Sequence, residues 1–137
     1  MKKYLQFYSI VIATVVLFDV IASFASRVLV FDYTKLFWVS WCIYFIAGFV
    51  GGKRLGFIGG VSSGLVAGFA DATLGWFLST LVGPYVSNRP PEFGIVVVAV
   101  TIVVVTALGA CFGLIGATLG CFRGSADNVP VNSNNMR

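Results

Sequence analysis

The feature that most constrains this chain is a series of long apolar runs separated by short polar clusters. The runs cover residues 4–24, 36–52, 55–82 and 94–122. A helix needs about 20 apolar residues to cross a bilayer, so these runs have the length of membrane spans. The runs lack the alternation of polar and apolar residues that is typical of a β-barrel. A segment within the bilayer must satisfy its own backbone hydrogen bonds, so each run is expected to be a helix. The sequence therefore predicts an all-α integral membrane protein with four transmembrane helices and short loops.

Composition supports a single membrane domain. Of the 137 residues, 58% are hydrophobic and only 10% are charged, whereas about a quarter of the residues of a soluble domain are charged. We expect residues 1–123 to form the transmembrane domain and the small, polar, Asn-containing segment 124–137 to be a disordered cytoplasmic tail. The net charge of +4 arises at the ends of the apolar runs. It predicts contact with the lipid bilayer and no nucleic-acid partner, which would need a dense basic patch.

The distribution of basic residues predicts the orientation of the spans. Six of the nine lie on one side if the first span begins in the cytoplasm, against three on the other. The six are Lys2, Lys3, Lys53, Arg54, Arg123 and Arg137, and the three are Arg27, Lys35 and Arg89. Cytoplasmic loops carry the excess of Lys and Arg, so both termini are predicted to be cytoplasmic. We expect the bilayer to be a bacterial inner (plasma) membrane.

The first run has a second interpretation. Lys2 and Lys3, an apolar stretch and the sequence Ser23-Phe24-Ala25 together resemble a signal peptide cleaved after Ala25. Asp19 would interrupt the hydrophobic region of such a peptide, which favours an uncleaved first span. Cleavage would leave the other three spans in the same orientation, so both alternatives stay open.

A small residue occupies every fourth position from Gly48 to Ala72, a pattern typical of a glycine zipper. The repeat passes through Gly51-Gly52-Lys53-Arg54, which we predict to be a tight cytoplasmic turn between the second and third spans. On the third span it leaves Gly56, Gly60, Gly64, Gly68 and Ala72. The fourth span carries Gly109, Gly113, Gly116 and Gly120. Such strips allow close backbone approach in lipid, so we predict glycine-zipper packing of helices three and four, within one chain or between copies.

Asp19 and Asp71 are the acidic residues inside the predicted spans. Carboxylates in a membrane are expensive unless they are paired, protonated or turned toward the bundle interior. At about 1.5 Å per residue, both lie in the outer half of the membrane at a similar level. Ser40, Tyr44 and Thr101 fall near that level on the second and fourth spans. We therefore predict a shared polar layer that could bind an ion or a proton, with Arg27, Lys35 and Arg89 as candidate ion-pair partners.

Other chemistry finds little support in the sequence. The chain contains no His, and its three Cys form no CxxC or Cys/His cluster, so we predict no metal site. No Walker loop, GxSxG elbow, HExxH or dinucleotide fingerprint is present. We accordingly predict that the protein is not an enzyme and holds no cofactor.

Two functions follow from these observations. The first is a small structural or accessory membrane protein that acts as an oligomer or as a subunit of a larger membrane complex, with other transmembrane helices as partners. The second is a small proton- or cation-coupled transporter or channel that uses Asp19 and Asp71. A holin-like lytic protein fits the size but not the patterned polar layer.

Overall fold

The computed structural model describes residues 2–87 and 94–127, and this part of the chain is helical without any strand. The helices are α1 (Lys2–Leu29), α2 (Phe37–Ala70), α3 (Trp76–Val82) and α4 (Ile95–Asp127). A 3₁₀ turn, Tyr33–Leu36, precedes α2, and a π-helical turn, Asp71–Gly75, joins α2 to α3. The prediction of an all-α fold is confirmed for this described part of the chain.

Three helical stretches in the described residues are long and apolar enough to cross a membrane, judged by length and composition. They are Lys2–Leu29, Tyr33–Val82 and Ile95–Gly124. Large apolar side chains cover their outer surfaces; Ile58, for example, is 82% exposed and Ile95 is 85% exposed. An apolar exterior on long helices fits a membrane protein, because lipid rather than water would contact it.

The backbone of α2 breaks at Gly56, where φ is 81° and ψ is 176°. That combination is essentially restricted to glycine, because any Cβ would be strained. We call residues 37–55 the first arm of α2 and residues 57–70 the second arm. The arms lie side by side, since a Cβ placed on Gly60 would come within 2.6 Å of the Gly48 carbonyl oxygen.

The turn therefore does not lie where the sequence predicted it. Gly51 and Gly52 are helical and buried, and the chain reverses about one turn later, at Gly56. Gly56 in turn takes no part in close packing, because a Cβ there would meet no atom of the described residues within 4 Å. A glycine repeat does not distinguish a position that needs a positive φ from one that needs space, since both select the same residue.

The other predicted packing glycines lie against neighbouring backbones. A Cβ on Gly68 would lie 2.7 Å from the Val105 carbonyl oxygen, and one on Gly113 would lie 2.7 Å from the Gly64 Cα. Gly60, Gly64, Gly109, Gly116 and Gly120 make comparably close approaches, and Ala72 is buried. The first arm also takes part, since Cβ atoms on Gly48 and Gly52 would overlap the backbones of Gly113 and Ala117. Both arms of α2 thus contact α4 almost backbone to backbone.

The helix α1 packs against the α2 hairpin through a small apolar core. Val11 and Val15 of α1 are buried together with Tyr44, Ala47 and Ala67 of α2. The Tyr8 hydroxyl also makes a 2.7 Å hydrogen bond with the Ser62 hydroxyl. These contacts place the buried face of α1 against both arms of α2.

The helices are longer than the predicted spans. Helix α1 continues to Leu29, five residues beyond the predicted end at residue 24, and α4 continues to Asp127. Residues 124–127, predicted to belong to the tail, are therefore helical. The rest of the predicted tail, 128–137, and Arg89 lie outside the described residues.

Candidate functional site

The two acidic side chains of the predicted spans meet beside Gly75. Asp19 lies on α1 with 1% of its surface exposed, and Asp71 begins the π-helical turn. A Cβ placed on Gly75 would overlap Asp19 Oδ2 and would lie 3.3 Å from Asp71 Oδ1. The absence of a side chain at residue 75 therefore makes the space in which the two carboxyl groups approach each other.

Two tyrosine hydroxyls bind the outer oxygens of this acid pair, Asp19 and Asp71. The Tyr33 hydroxyl donates a 3.1 Å hydrogen bond to Asp19 Oδ1. The Tyr44 hydroxyl donates to Asp71 Oδ2, and its side chain is only 1% exposed. Each carboxyl group is thus held by a neutral donor, which fixes its orientation without neutralising a charge.

One oxygen of the pair has no hydrogen-bond partner among the described residues. Asp19 Oδ2 is buried and unpartnered, and it lies with Asp71 Oδ1 in the space beside Gly75. A buried carboxylate oxygen without a donor is unfavourable, and two carboxylates in contact repel each other. A proton or a cation between the two carboxyl groups would remove their repulsion and give Asp19 Oδ2 a partner.

The π-helical turn places Asp71 at a change of helical register. Residues Asp71–Gly75 follow directly on α2, and the Trp76 N–H donates to the Asp71 carbonyl oxygen. This bond spans five residues instead of the four of an α-helix, so one extra residue is accommodated in the turn. Insertions of this kind are frequent at functional sites, where they re-aim side chains.

A pocket of about 300 Å³ opens next to Asp71. It extends from the acid to the 3₁₀ turn and the start of α2, and α4 forms one wall. Its polar lining comprises Tyr33, Thr34, Ser40, Tyr44, Asp71, Ser79 and Thr101, and its aromatic lining comprises Phe18, Phe37, Trp41 and Trp76 together with the two tyrosines. The pocket therefore connects the acid pair to the end of the bundle that carries Tyr33.

The structure brings most of the predicted polar layer together. Ser40, Tyr44, Asp71 and Thr101 line this single pocket, and Asp19 lies directly behind Asp71. The Thr101 hydroxyl itself donates to the Val97 carbonyl oxygen on its own helix, at 2.8 Å. The residues are therefore neighbours, while the role predicted for them stays a prediction.

The predicted ion-pair partners are placed elsewhere. The Arg27 guanidinium donates a 2.9 Å hydrogen bond to the Val82 carbonyl oxygen at the end of α3. Lys35 is exposed on the 3₁₀ turn, and Arg89 lies outside the described residues. Within the described ranges, Asp19 and Asp71 are held by tyrosine hydroxyls and not by a basic side chain.

Sequence reasoning missed Tyr33 as a ligand of Asp19. Tyr33 belongs to the connection after α1, and the helical periodicity of the sequence does not predict the path of the chain in a connection. The positive φ of Val30, 53°, and the bond from the Tyr33 N–H to the Tyr85 carbonyl oxygen at 3.0 Å fold that connection back over α1. No local signal predicts this reversal, because it depends on a partner more than fifty residues away.

No group of three or more metal-ligating side chains occurs among the described residues. Comparison of the chain with protein-family models, curated proteins and solved structures found no match. The function is therefore inferred from the residues and geometry of the acid pair alone.

Proposed function

We propose that this chain is a small polytopic membrane protein in which Asp19 and Asp71 form a proton- or cation-binding site that serves transport. The observation that carries the proposal is the buried, unpartnered Asp19 Oδ2 beside the Asp71 carboxyl group. Ionisable residues within a membrane-spanning bundle mark ion or proton pathways by default. Two neighbouring carboxyl groups, one with an oxygen that has no hydrogen-bond partner, can bind a proton or a cation.

The hairpin at Gly56 supports four spans. The first arm of α2 is about 28 Å long and residues 57–82 are about 39 Å long, at 1.5 Å per residue. Each length is comparable to the hydrocarbon thickness of about 30 Å. With α1 and α4, the two antiparallel arms make a four-helix bundle packed by glycine strips in the manner of a glycine zipper.

The positions of the basic residues support cytoplasmic termini. A Cβ placed on Gly124 of α4 would lie 3.7 Å from the Lys53 carbonyl oxygen, so these two helix ends are adjacent. Arg54 and Arg123, both exposed, therefore share one end of the bundle. An excess of positive charge on that end favours the cytoplasmic side. The pocket then opens toward the opposite, outer side.

The glycine contacts weigh against the accessory-subunit interpretation. The predicted strips suggested that interpretation because they could have packed against a second chain. In this fold the glycines of both arms of α2 instead pack against α4 of the same chain. The main sequence argument for an intermolecular interface is thereby weakened, and the transport alternative has the stronger support.

The unequal packing of the two halves of the bundle also favours transport. On the basic side of the acid pair, Gly48, Gly64 and Gly113 bring three helical segments into backbone contact. On the other side, the pocket of about 300 Å³ reaches Asp71. A binding site open to one side and closed to the other is the arrangement that alternating access requires in either of its end states.

The proposal is tested by reconstituting the purified protein in lipid vesicles and measuring proton and alkali-cation flux under an imposed gradient. We expect flux in the native protein and a fall to the level of protein-free vesicles in Asp71→Asn. Asp32→Asn is the matched control, because Asp32 lies in the connection outside α1 and α2 and contacts Thr34 and Ser87. Circular dichroism and gel filtration confirm that both variants are folded.

Unchanged flux in Asp71→Asn would refute the assignment. Absence of flux in the native protein under proton, sodium and potassium gradients would also refute it. Recovery of a stoichiometric membrane partner from native membranes would then favour the accessory-subunit function.

A further inference from the structure

We infer that the pocket beside Asp71 binds a lipophilic organic cation, with the positive group near the acid pair and the apolar body against the aromatic wall. This inference rests on the proposed function, since it names the class of substrate that the acid pair would couple to a proton. It is carried by the lining of this pocket, which combines several aromatic side chains with the carboxyl group of Asp71.

Six of the residues that line the pocket are aromatic: Phe18, Tyr33, Phe37, Trp41, Tyr44 and Trp76. The rings of Trp41 and Phe112 stack with their centroids 5.1 Å apart and their planes inclined by 27°. Phe37 meets the Trp41 ring edge to face at 5.0 Å. Trp41 is therefore held in place before any ligand arrives, and it lines the pocket. Aromatic rings attract a cation through their quadrupole, so a wall rich in aromatic side chains favours a positively charged ligand.

The charge at the pocket has one sign. Among the described residues, Asp71 is the only charged side chain that lines it, and Asp19 lies directly behind Asp71. The nearest basic group of α1, Arg27, is engaged with the Val82 carbonyl oxygen. A ligand at this position would therefore meet negative charge and aromatic side chains, which favours a cation over an anion or a neutral solute.

The lining also distinguishes an organic cation from a metal ion. Sodium and potassium need oxygen ligands on all sides to replace their hydration shell. Aromatic and aliphatic carbon makes up much of this wall, including Phe18, Trp41 and Leu108. A volume of about 300 Å³ is at the lower end of the range for sites that bind drug-sized molecules. A compact quaternary ammonium ion with one aromatic substituent satisfies both conditions.

The test is calorimetric titration of the protein in lipid nanodiscs with benzyltrimethylammonium and, separately, with its neutral carbon isostere neopentylbenzene. We expect saturable binding of the cation alone, lost in Asp71→Asn and retained in Asp32→Asn. Trp76→Leu should weaken the binding at least severalfold. Phe77→Leu is its matched control, because Phe77 is the next residue, is 56% exposed and does not line the pocket.

The outcomes separate this inference from the proposed function. Proton flux that depends on Asp71, without binding of benzyltrimethylammonium, overturns the substrate class and leaves the transport site in place. Equal binding of the neutral isostere, or equal weakening by Trp76→Leu and Phe77→Leu, overturns the aromatic cation site. If Asp71→Asn does not fold, the comparison of Trp76→Leu with Phe77→Leu decides whether the aromatic cation site exists.

Discussion

The hydroxyl group of Tyr44 donates a hydrogen bond to the carboxyl group of Asp71, a residue 27 positions later in the chain. The first residue lies on the first arm of α2 and the second at the start of the π-helical turn, so the bond crosses the hairpin that reverses at Gly56. It links the backbone turn to the candidate site. The position of Asp71 therefore depends on the geometry of a glycine fifteen residues before it.

Tyr44→Phe should loosen Asp71 without removing its charge. We expect a loss of about 1–3 kcal/mol of stability, because the substitution leaves a half-buried carboxyl group without its donor. Proton uptake by the reconstituted protein should be altered but not abolished, because the acid pair stays in place without one of its donors. Tyr8→Phe is the control, since Tyr8 bonds Ser62 near the other end of the bundle. Identical proton uptake in Tyr44→Phe and the native protein would contradict the assigned contact.

Gly75→Ala should disturb the acid pair directly. The added methyl group would occupy the position of Asp19 Oδ2, so the Asp19 side chain would have to turn away from Asp71. We expect proton uptake to decrease strongly while the helix content measured by circular dichroism stays unchanged. Gly94→Ala provides the comparison, because a Cβ there meets no atom of the described residues within 4 Å. Native proton uptake in Gly75→Ala would show that the acids do not need to meet there.

Gly64→Ala should destabilise the contact between the second arm of α2 and α4. Its Cβ would overlap the backbones of Gly109 and Gly113, which cannot move as a flexible side chain can. Overpacking of this kind costs about 1–3 kcal/mol or more. Thermal unfolding in mild detergent measures the loss, with Gly94→Ala expected to remain within about 0.5 kcal/mol of the native protein. Equal stability of the two variants would argue against this helix packing.

Gly56→Ala should strain the hairpin for a different reason. Space is not limiting at this position, because a Cβ there would have no atom of the described residues within 4 Å, but φ of 81° with ψ of 176° is almost closed to other residues. We expect a cost of about 1–3 kcal/mol. The same thermal unfolding experiment measures this loss of stability. Its cause would be backbone strain in Gly56→Ala and overpacking in Gly64→Ala. A neutral Gly56→Ala variant would mean that the chain reverses elsewhere.

Asp32 supplies a prediction about pH in the connection before α2. Hydrogen bonds from the Ser87 hydroxyl and from Thr34 lower the pKa of the Asp32 carboxyl group to about 2. The folded pKa lies below its ordinary value, so the contribution of these bonds is present above the ordinary pKa and is lost as the pH falls toward 2. Ser87→Ala should raise this pKa. A carboxyl ¹³C NMR titration measures it, and an unchanged midpoint in the variant would contradict the contact.

Much of the candidate site follows from the sequence because depth along a span is a simple function of residue number. Asp19, Asp71, Ser40, Tyr44 and Thr101 can be placed near one level by a constant rise per residue, and in the fold they lie around one pocket or directly behind it. Tyr33 could not be found this way, since it belongs to a connection whose direction depends on Tyr85. The hydrogen bond from Arg27 to the Val82 carbonyl oxygen could not be found this way either, because it joins residues 55 positions apart, and the ion-pair role of Arg27 stays a prediction.

The sequence by itself determined that the chain is helical and that its long helices are apolar enough for a membrane. Both properties are sums over neighbouring residues, so they need no knowledge of distant contacts. Only the tertiary structure decided that Gly56 makes the turn, that Gly48 and Gly52 pack against α4, and that Asp19 meets Asp71 beside Gly75. Glycine has no side chain, so the same letter serves a strained turn, a packed interface and the space for a carboxyl group. What distinguishes them is the backbone conformation at the glycine and the atoms that lie opposite it in the fold.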